Sequence, residues 1–184
     1  GKTVPEPSDT STPKSTQHLL RTEPTHQYTE PMKNLTAFAG IALVFIYVIG
    51  SGLWVNTGDG WYRSLNQPAW QPPDFIFGII WPYNFIVLGI AAVTIAQRAT
   101  TATTLTYLTF FALSVTFALT WAYQFYRPHN LTFASMALIA TAVLTIPMLI
   151  IAFRTSLGIG FALLPYQLWV ATAASISYGY SKLN

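Results

Sequence analysis

Beyond Lys33 the charged side chains are few and far apart: Asp59, Arg63, Asp74, Arg98, Arg127, Arg154 and Lys182. They divide the rest of the chain into long uncharged intervals. A helix that crosses the hydrocarbon of a bilayer needs ~20 mainly apolar residues. Five intervals meet that need: Asn34–Val55, Phe75–Gln97, Thr104–Tyr126, Leu131–Phe153 and Leu157–Tyr178. Strands of a membrane barrel would be about half as long and would alternate with period two. These intervals do neither. Only 8% of the chain is charged and 52% is hydrophobic, whereas soluble domains carry about a quarter charged residues. The expected fold is therefore an all-α membrane protein, a bundle of five transmembrane helices, integral and multi-pass. The loop after the first span is long and the other connections are only a few residues. Short connections force consecutive helices to run antiparallel as neighbours.

Residues 1–33 are a different material. Pro5, Pro7, Pro13, Pro24 and Pro31 stand among many Ser and Thr, and Glu6, Asp9, Glu23 and Glu30 offset Lys2, Lys14 and Arg21. Such a segment cannot bury a core and is expected to be disordered unless a partner holds it. It lacks the apolar run of a signal peptide, and its acids argue against an organelle-targeting peptide. The chain thus divides into a polar tail, 1–33, and a membrane domain, 34–184. Lys33, Arg98 and Arg154 fall on one side of the membrane and Arg63, Arg127 and Lys182 on the other. Arg21 tips this near parity toward a cytoplasmic N-terminus.

Several functions are excluded by what is missing. The net charge of +3 comes without any basic run, so nucleic-acid binding has no electrostatic footprint. There is no cysteine. His18 and His26 lie in the tail and His129 in a tight turn, so axial histidine ligation of haem inside the bundle is not expected. No acid or base lies mid-span, as ion pathways and proton relays usually require. No catalytic grouping, phosphate loop or metal site is expected, and no cofactor is required.

What remains is aromatic. Trp54, Trp61, Tyr62 and Trp70 surround the long loop. They read either as an interfacial aromatic belt or as a lid over a pocket. Pro72 and Pro73 open the second span, where missing N–H groups cost nothing, and Asp74 suits its first turn. Phe77, Trp81 and Phe85 recur at every fourth residue, with Gly78, Gly89 and Ala92 as small sites for helix contact. Tyr107, Ser114 and Trp121 share a face of span three, with Thr120 and Gln124 adding polarity. Tyr166, Trp169, Ala173, Ser177 and Tyr180 share a face of span five. Pro147 and Pro165 should bend their helices. Three such stripes are either packing interfaces or the walls of a site for a flat, apolar ligand with polar edges.

One string is specific: Trp61-Tyr62-x-x-Leu65-x-x-Pro68-x-Trp70-x-Pro72-Pro73-x-Phe75-x-Phe77-Gly78-x-x-Trp81. A second block, Leu164-Pro165-Tyr166-x-x-Trp169, follows in the last span. Both resemble the TspO/MBR family, the tryptophan-rich sensory proteins and mitochondrial translocator proteins. The resemblance covers about Asn34 to the last residue. It implies five helices with a long first loop lidding an intrabundle pocket for porphyrins, sterols or synthetic ligands. Carried over by position, it implies a ligand site of Tyr62 in the lid, Trp81 and Phe85, Thr120 and Trp121, and Tyr166, Trp169 and Ser177. Thr120 and Ser177 stand where the family often has amides. A hydroxyl has fewer hydrogen-bonding groups, so ligand choice is expected to differ. The C-terminal sterol pattern is also broken, which makes sterol the weakest carry-over.

The leading expectation is a membrane protein binding a flat hydrophobe of the porphyrin or tetrapyrrole class; the resemblance implies a stress or tetrapyrrole regulator, as a homodimer or, through the tail, in a larger membrane complex. A second is an accessory subunit of a large respiratory or photosynthetic membrane complex, with the tail as clamp. A third, implied by the resemblance, is light-dependent porphyrin breakdown.

Overall fold

The computed structural model describes residues 1–5 and 25–184, with the backbone alone at 25–28. The expectation for the rest of the tail, residues 6–24, lies outside the described residues. Among the described residues the regular structure is all helix: α1 (Thr25–Trp54), α2 (Gly60–Ser64), α3 (Asp74–Arg98), α4 (Thr101–Tyr126), α5 (Leu131–Thr155) and α6 (Leu157–Leu183). Five of the six are long and apolar enough to cross a membrane, so the five-span bundle is observed. The short α2 lies in the first loop.

The first helix begins at Thr25, before the expected span, and runs through Pro31. The Thr36 hydroxyl donates to the Met32 and Lys33 carbonyls (2.8 and 3.0 Å), and Lys33 pairs with Glu30 at 3.7 Å. The starts of α4 and α5 follow capping rules. Thr100 accepts from the Thr103 N–H at the start of α4, and Asn130 from the Phe133 N–H at the start of α5. His129 takes a left-handed φ of 58° in the turn between α4 and α5. Pro73 caps α3 in extended geometry and Asp74 occupies its first turn. Besides Pro147 and Pro165, Pro82 lies within a helix, α3.

The long helices close into a ring. In it α1 packs on α3 and α4, α4 on α5, α5 on α6, and α6 back on α3. The consecutive helices α3 and α4 touch little, meeting at their joined ends where the Thr104 hydroxyl donates to the Ile95 carbonyl at 3.3 Å. A short connection made them antiparallel, but α1 comes between them over most of their length. The close approach of α1 to α3 uses Gly40, where an added Cβ would stand 2.5 Å from the Ala92 Cβ. Ala92 is thus a small contact site, as expected. Gly78 and Gly89 are not, since nothing lies within 4 Å of a Cβ at either. Leu88, Ile95, Phe111, Met148 and Leu163 fill the core, while Phe38, Phe45, Ile79, Ile86 and Leu168 face outward. An apolar exterior is what lipid-facing helices require.

Candidate functional site

Beneath the first loop, between α1, α3, α4 and α6, lies a cavity of about 700 Å³. Its apolar wall is built from the four-residue aromatic repeat of α3. Trp81 and Phe85 stack at 5.5 Å and 28°, and Tyr47 of α1 meets both edge-on, at 6.1 and 5.2 Å. From α6, Trp169 stands edge-on to Phe77 (5.1 Å, 82°) and to Trp81 (6.5 Å, 88°). These T-shaped contacts suit the ring quadrupoles. From α4, the Trp121 indole N–H donates to the Ser177 hydroxyl at 3.1 Å. Trp169 is only 7% exposed, and its Nε1 is buried with no acceptor among the described residues.

The loop closes one end. Asp59 caps α2 by accepting from the Trp61 N–H (3.2 Å), which sets Trp61 and Tyr62 on successive positions. Trp61 stacks flat on His129 (3.5 Å, 5°) and meets Phe125 edge-on. Tyr62 turns to the cavity, where Gln71 Nε2 donates to its hydroxyl at 3.3 Å and the Tyr180 hydroxyl donates to Gln71 Oε1. Pro68 and Trp70 press on α6 at Gly179, where a Cβ would stand 2.7 Å from Pro68 and 2.9 Å from Trp70. The Trp70 indole N–H donates to Ser175 at 3.1 Å, with the ring 54% exposed. Asn66 exchanges hydrogen bonds with Asn184. The loop is therefore fastened to α4, to the turn that follows it and to α6 by aromatic stacking, close packing and hydrogen bonds. Trp70 is exposed, while Tyr62 lines the cavity.

Of the residues marked in the sequence, Tyr62, Trp81, Phe85, Trp121, Trp169 and Ser177 stand on the cavity wall. Thr120 and Tyr166 do not. The Thr120 hydroxyl donates back to the Thr116 carbonyl at 2.8 Å, and Tyr166 is buried behind Tyr47, their hydroxyls 3.2 Å apart. Tyr107 and Ser114, on the same stripe as Trp121, are buried in the core. Of the motif residues, Pro72 and Pro73 lead into α3, Gly78 lies on its exposed face, and Pro165 lies inside α6. Sequence reasoning missed Tyr47, Gln71, Phe125 and Tyr126 as wall residues. Phe125 follows Trp121 by four residues, a signal that could have found it. Tyr47, the one tyrosine of its uncharged interval, had no repeat to mark it.

The cavity's charged groups, Arg63 and Asp74, sit at the loop end. Among the described residues no group of three or more His, Asp or Glu is placed to hold a metal. The site offers stacking, hydrogen bonds and one cation, which is equipment for binding.

Comparison with known proteins gives a coherent picture. The family model described as TspO/MBR matches residues 38–183. The chain is similar to a Bacillus subtilis protein called "Uncharacterized membrane protein YtaB", with 27% identity over 83% of this chain and 98% of the relative. It is similar to the tryptophan-rich sensory protein of Cereibacter sphaeroides, with 24% identity over 78% of this chain and 92% of the relative. The tryptophan-rich protein TspO of Bacillus cereus shares 27% identity over 67% of this chain and 80% of its own length.

Proposed function

The chain belongs to the TspO/MBR family, and on that premise we propose that it binds a flat hydrophobic molecule of the porphyrin or tetrapyrrole class in the cavity beneath its first loop. One observation carries the reading: three tryptophans from three helices, Trp81, Trp121 and Trp169, wall one cavity of about 700 Å³. Ligand pockets usually enclose 300–1,000 Å³ with aromatic walls and a few polar groups. Binding would rest on burial and stacking, with Tyr62 and Gln71 closing the loop end. Similarity to a protein named as a sensory protein supports a role in which occupancy, rather than turnover, is the output.

The test is a protoporphyrin titration of the detergent-purified protein in the dark, followed by tryptophan quenching. Saturable quenching that weakens at least tenfold in Trp81→Ala, in a sample that keeps its helix content, supports the reading. Equal affinity in the variant removes Trp81 from the site. No saturable quenching in the folded wild-type protein removes the ligand class.

A further inference from the structure

A second cavity, of about 240 Å³, opens where α1 and α4 end. Gly52, Val55 and Tyr126 border both cavities, but Trp54, Asn56, Asp59 and Arg127 line the second alone. Pockets for flat, drug-sized ligands usually enclose 300–1,000 Å³, so this one suits a smaller group. Its wall is polar where that of the main cavity is aromatic.

The charge comes from backbone as well as side chains. The C-terminal ends of α1 and α4 lie together: Trp54 stands edge-on to Tyr123 at 5.4 Å, and Arg127 donates to the Leu53 carbonyl at 3.4 Å. The last carbonyls of a helix have no partner within it, and that end carries a partial negative charge. Neither helix has a basic residue in its last turn. Asp59 adds a carboxylate, one oxygen of which accepts from the Trp61 N–H. Arg127, the cap of α4, is the cation on the wall. The one ion pair among the described residues joins Lys33 to Glu30, so Asp59 and Arg127 line one cavity without pairing.

Such a wall favours a ligand that carries both charges. A lone anion meets Asp59 and two helix C-terminal ends, and a lone cation meets Arg127. A phosphate fits the guanidinium fork. An ammonium with N–H groups can donate to the carboxylate and to the carbonyls that end α1. The place points to a lipid. Both helices are membrane spans, so their ends lie at the bilayer interface, where tryptophan and tyrosine collect. Leu53 and Tyr123 are exposed there and offer acyl chains an apolar surface.

We propose that this second cavity binds the headgroup of an ethanolamine phospholipid, with Arg127 on the phosphate and Asp59 and the last α1 carbonyls on the ammonium. A choline headgroup has the same charges but no N–H to donate, so it binds more weakly. The site is independent of the ligand proposed for the main cavity.

The experiment is native mass spectrometry of the full chain in detergent, with ethanolamine, dimethylethanolamine, choline and glycerol phospholipids of identical acyl chains. Wild type is expected to hold the ethanolamine lipid about tenfold more tightly than the choline lipid, the scale of one charge-assisted hydrogen bond. The dimethyl form falls between them, and the glycerol lipid, an anion alone, binds no better than choline. Asp59→Asn keeps a side chain able to cap α2 and brings the ethanolamine lipid close to the choline lipid. Arg127→Gln weakens all four, and Arg127→Lys restores part of the loss. Equal affinity of wild type for ethanolamine and choline lipids overturns the proposal without recourse to any variant. So does an ethanolamine preference that survives Asp59→Asn, or binding that Arg127→Gln leaves unchanged. Bound lipid should persist against a tenfold excess of soluble glycerophosphoethanolamine; its displacement by an equal concentration overturns the lipid as occupant and assigns the site to a free zwitterion.

Discussion

The Trp121 indole N–H and the Ser177 hydroxyl, 56 residues apart in sequence, meet at 3.1 Å and join α4 to α6 across the cavity wall. Neither helix is the other's main neighbour in the ring, so this bond links elements that otherwise face each other across the site. Ser177→Ala leaves the indole donor unpaired and should cost about 1–2 kcal/mol. A lowered thermal midpoint in detergent, with unchanged helix content, is the expected result. An unchanged midpoint means that the bond contributes nothing to holding the wall.

Gly179 lets the loop lie against α6. A side chain there would meet Pro68 at 2.7 Å and Trp70 at 2.9 Å, distances that real Cβ atoms do not tolerate. Gly179→Val should lift the loop and leave the transmembrane ring intact, since overpacking typically costs 1–3 kcal/mol and the loop is the part free to move. Hydrogen exchange should quicken at the amides of residues 61–71 and stay slow in α4 and α5. Unaltered exchange in the loop contradicts the packing account.

Asn84 is fully buried in α3, and neither of its amide atoms has a partner among the described residues. Replacing an unsatisfied buried amide with an apolar group of similar size removes a penalty of about 1–3 kcal/mol. Asn84→Leu is therefore expected to raise the thermal midpoint of the detergent-solubilised protein. A lower midpoint would contradict the account of Asn84 as an unsatisfied buried amide.

Tyr166 does not line the cavity and shares a hydrogen bond of 3.2 Å with Tyr47, which does. Tyr166→Phe should lower stability by about 1 kcal/mol and change ligand affinity by less than twofold. Tyr47→Phe, on the wall itself, is the natural comparison. A tenfold loss of affinity in Tyr166→Phe would place its hydroxyl in the site after all.

Much of this protein was legible without coordinates. The spacing of Asp59, Asp74, Arg98, Arg127, Arg154 and Lys182 marks the ends of the spans, because an unpaired charge is expensive in hydrocarbon. The four-residue repeat of Phe77, Trp81 and Phe85 marks one face of α3, because i and i+4 side chains share a face. Pro72 and Pro73 mark where α3 begins. The start of α1 at Thr25 was not legible, since its polar first turns look like the tail before them.

The sequence by itself determined that this chain crosses a membrane five times, and which aromatic residues could share a face. Tertiary structure alone decided which of those faces look into a cavity. In a soluble protein the polar side of a helix reveals the other side as core. Here core and lipid are both apolar, so Tyr107 and Trp121 look alike in sequence although Tyr107 is buried in packing and Trp121 lines the site. The placement of α1 between α3 and α4 brought Tyr47 against Trp81 and Phe85. Such contacts between distant segments depend on how the helices pack around the ring, which no local pattern encodes.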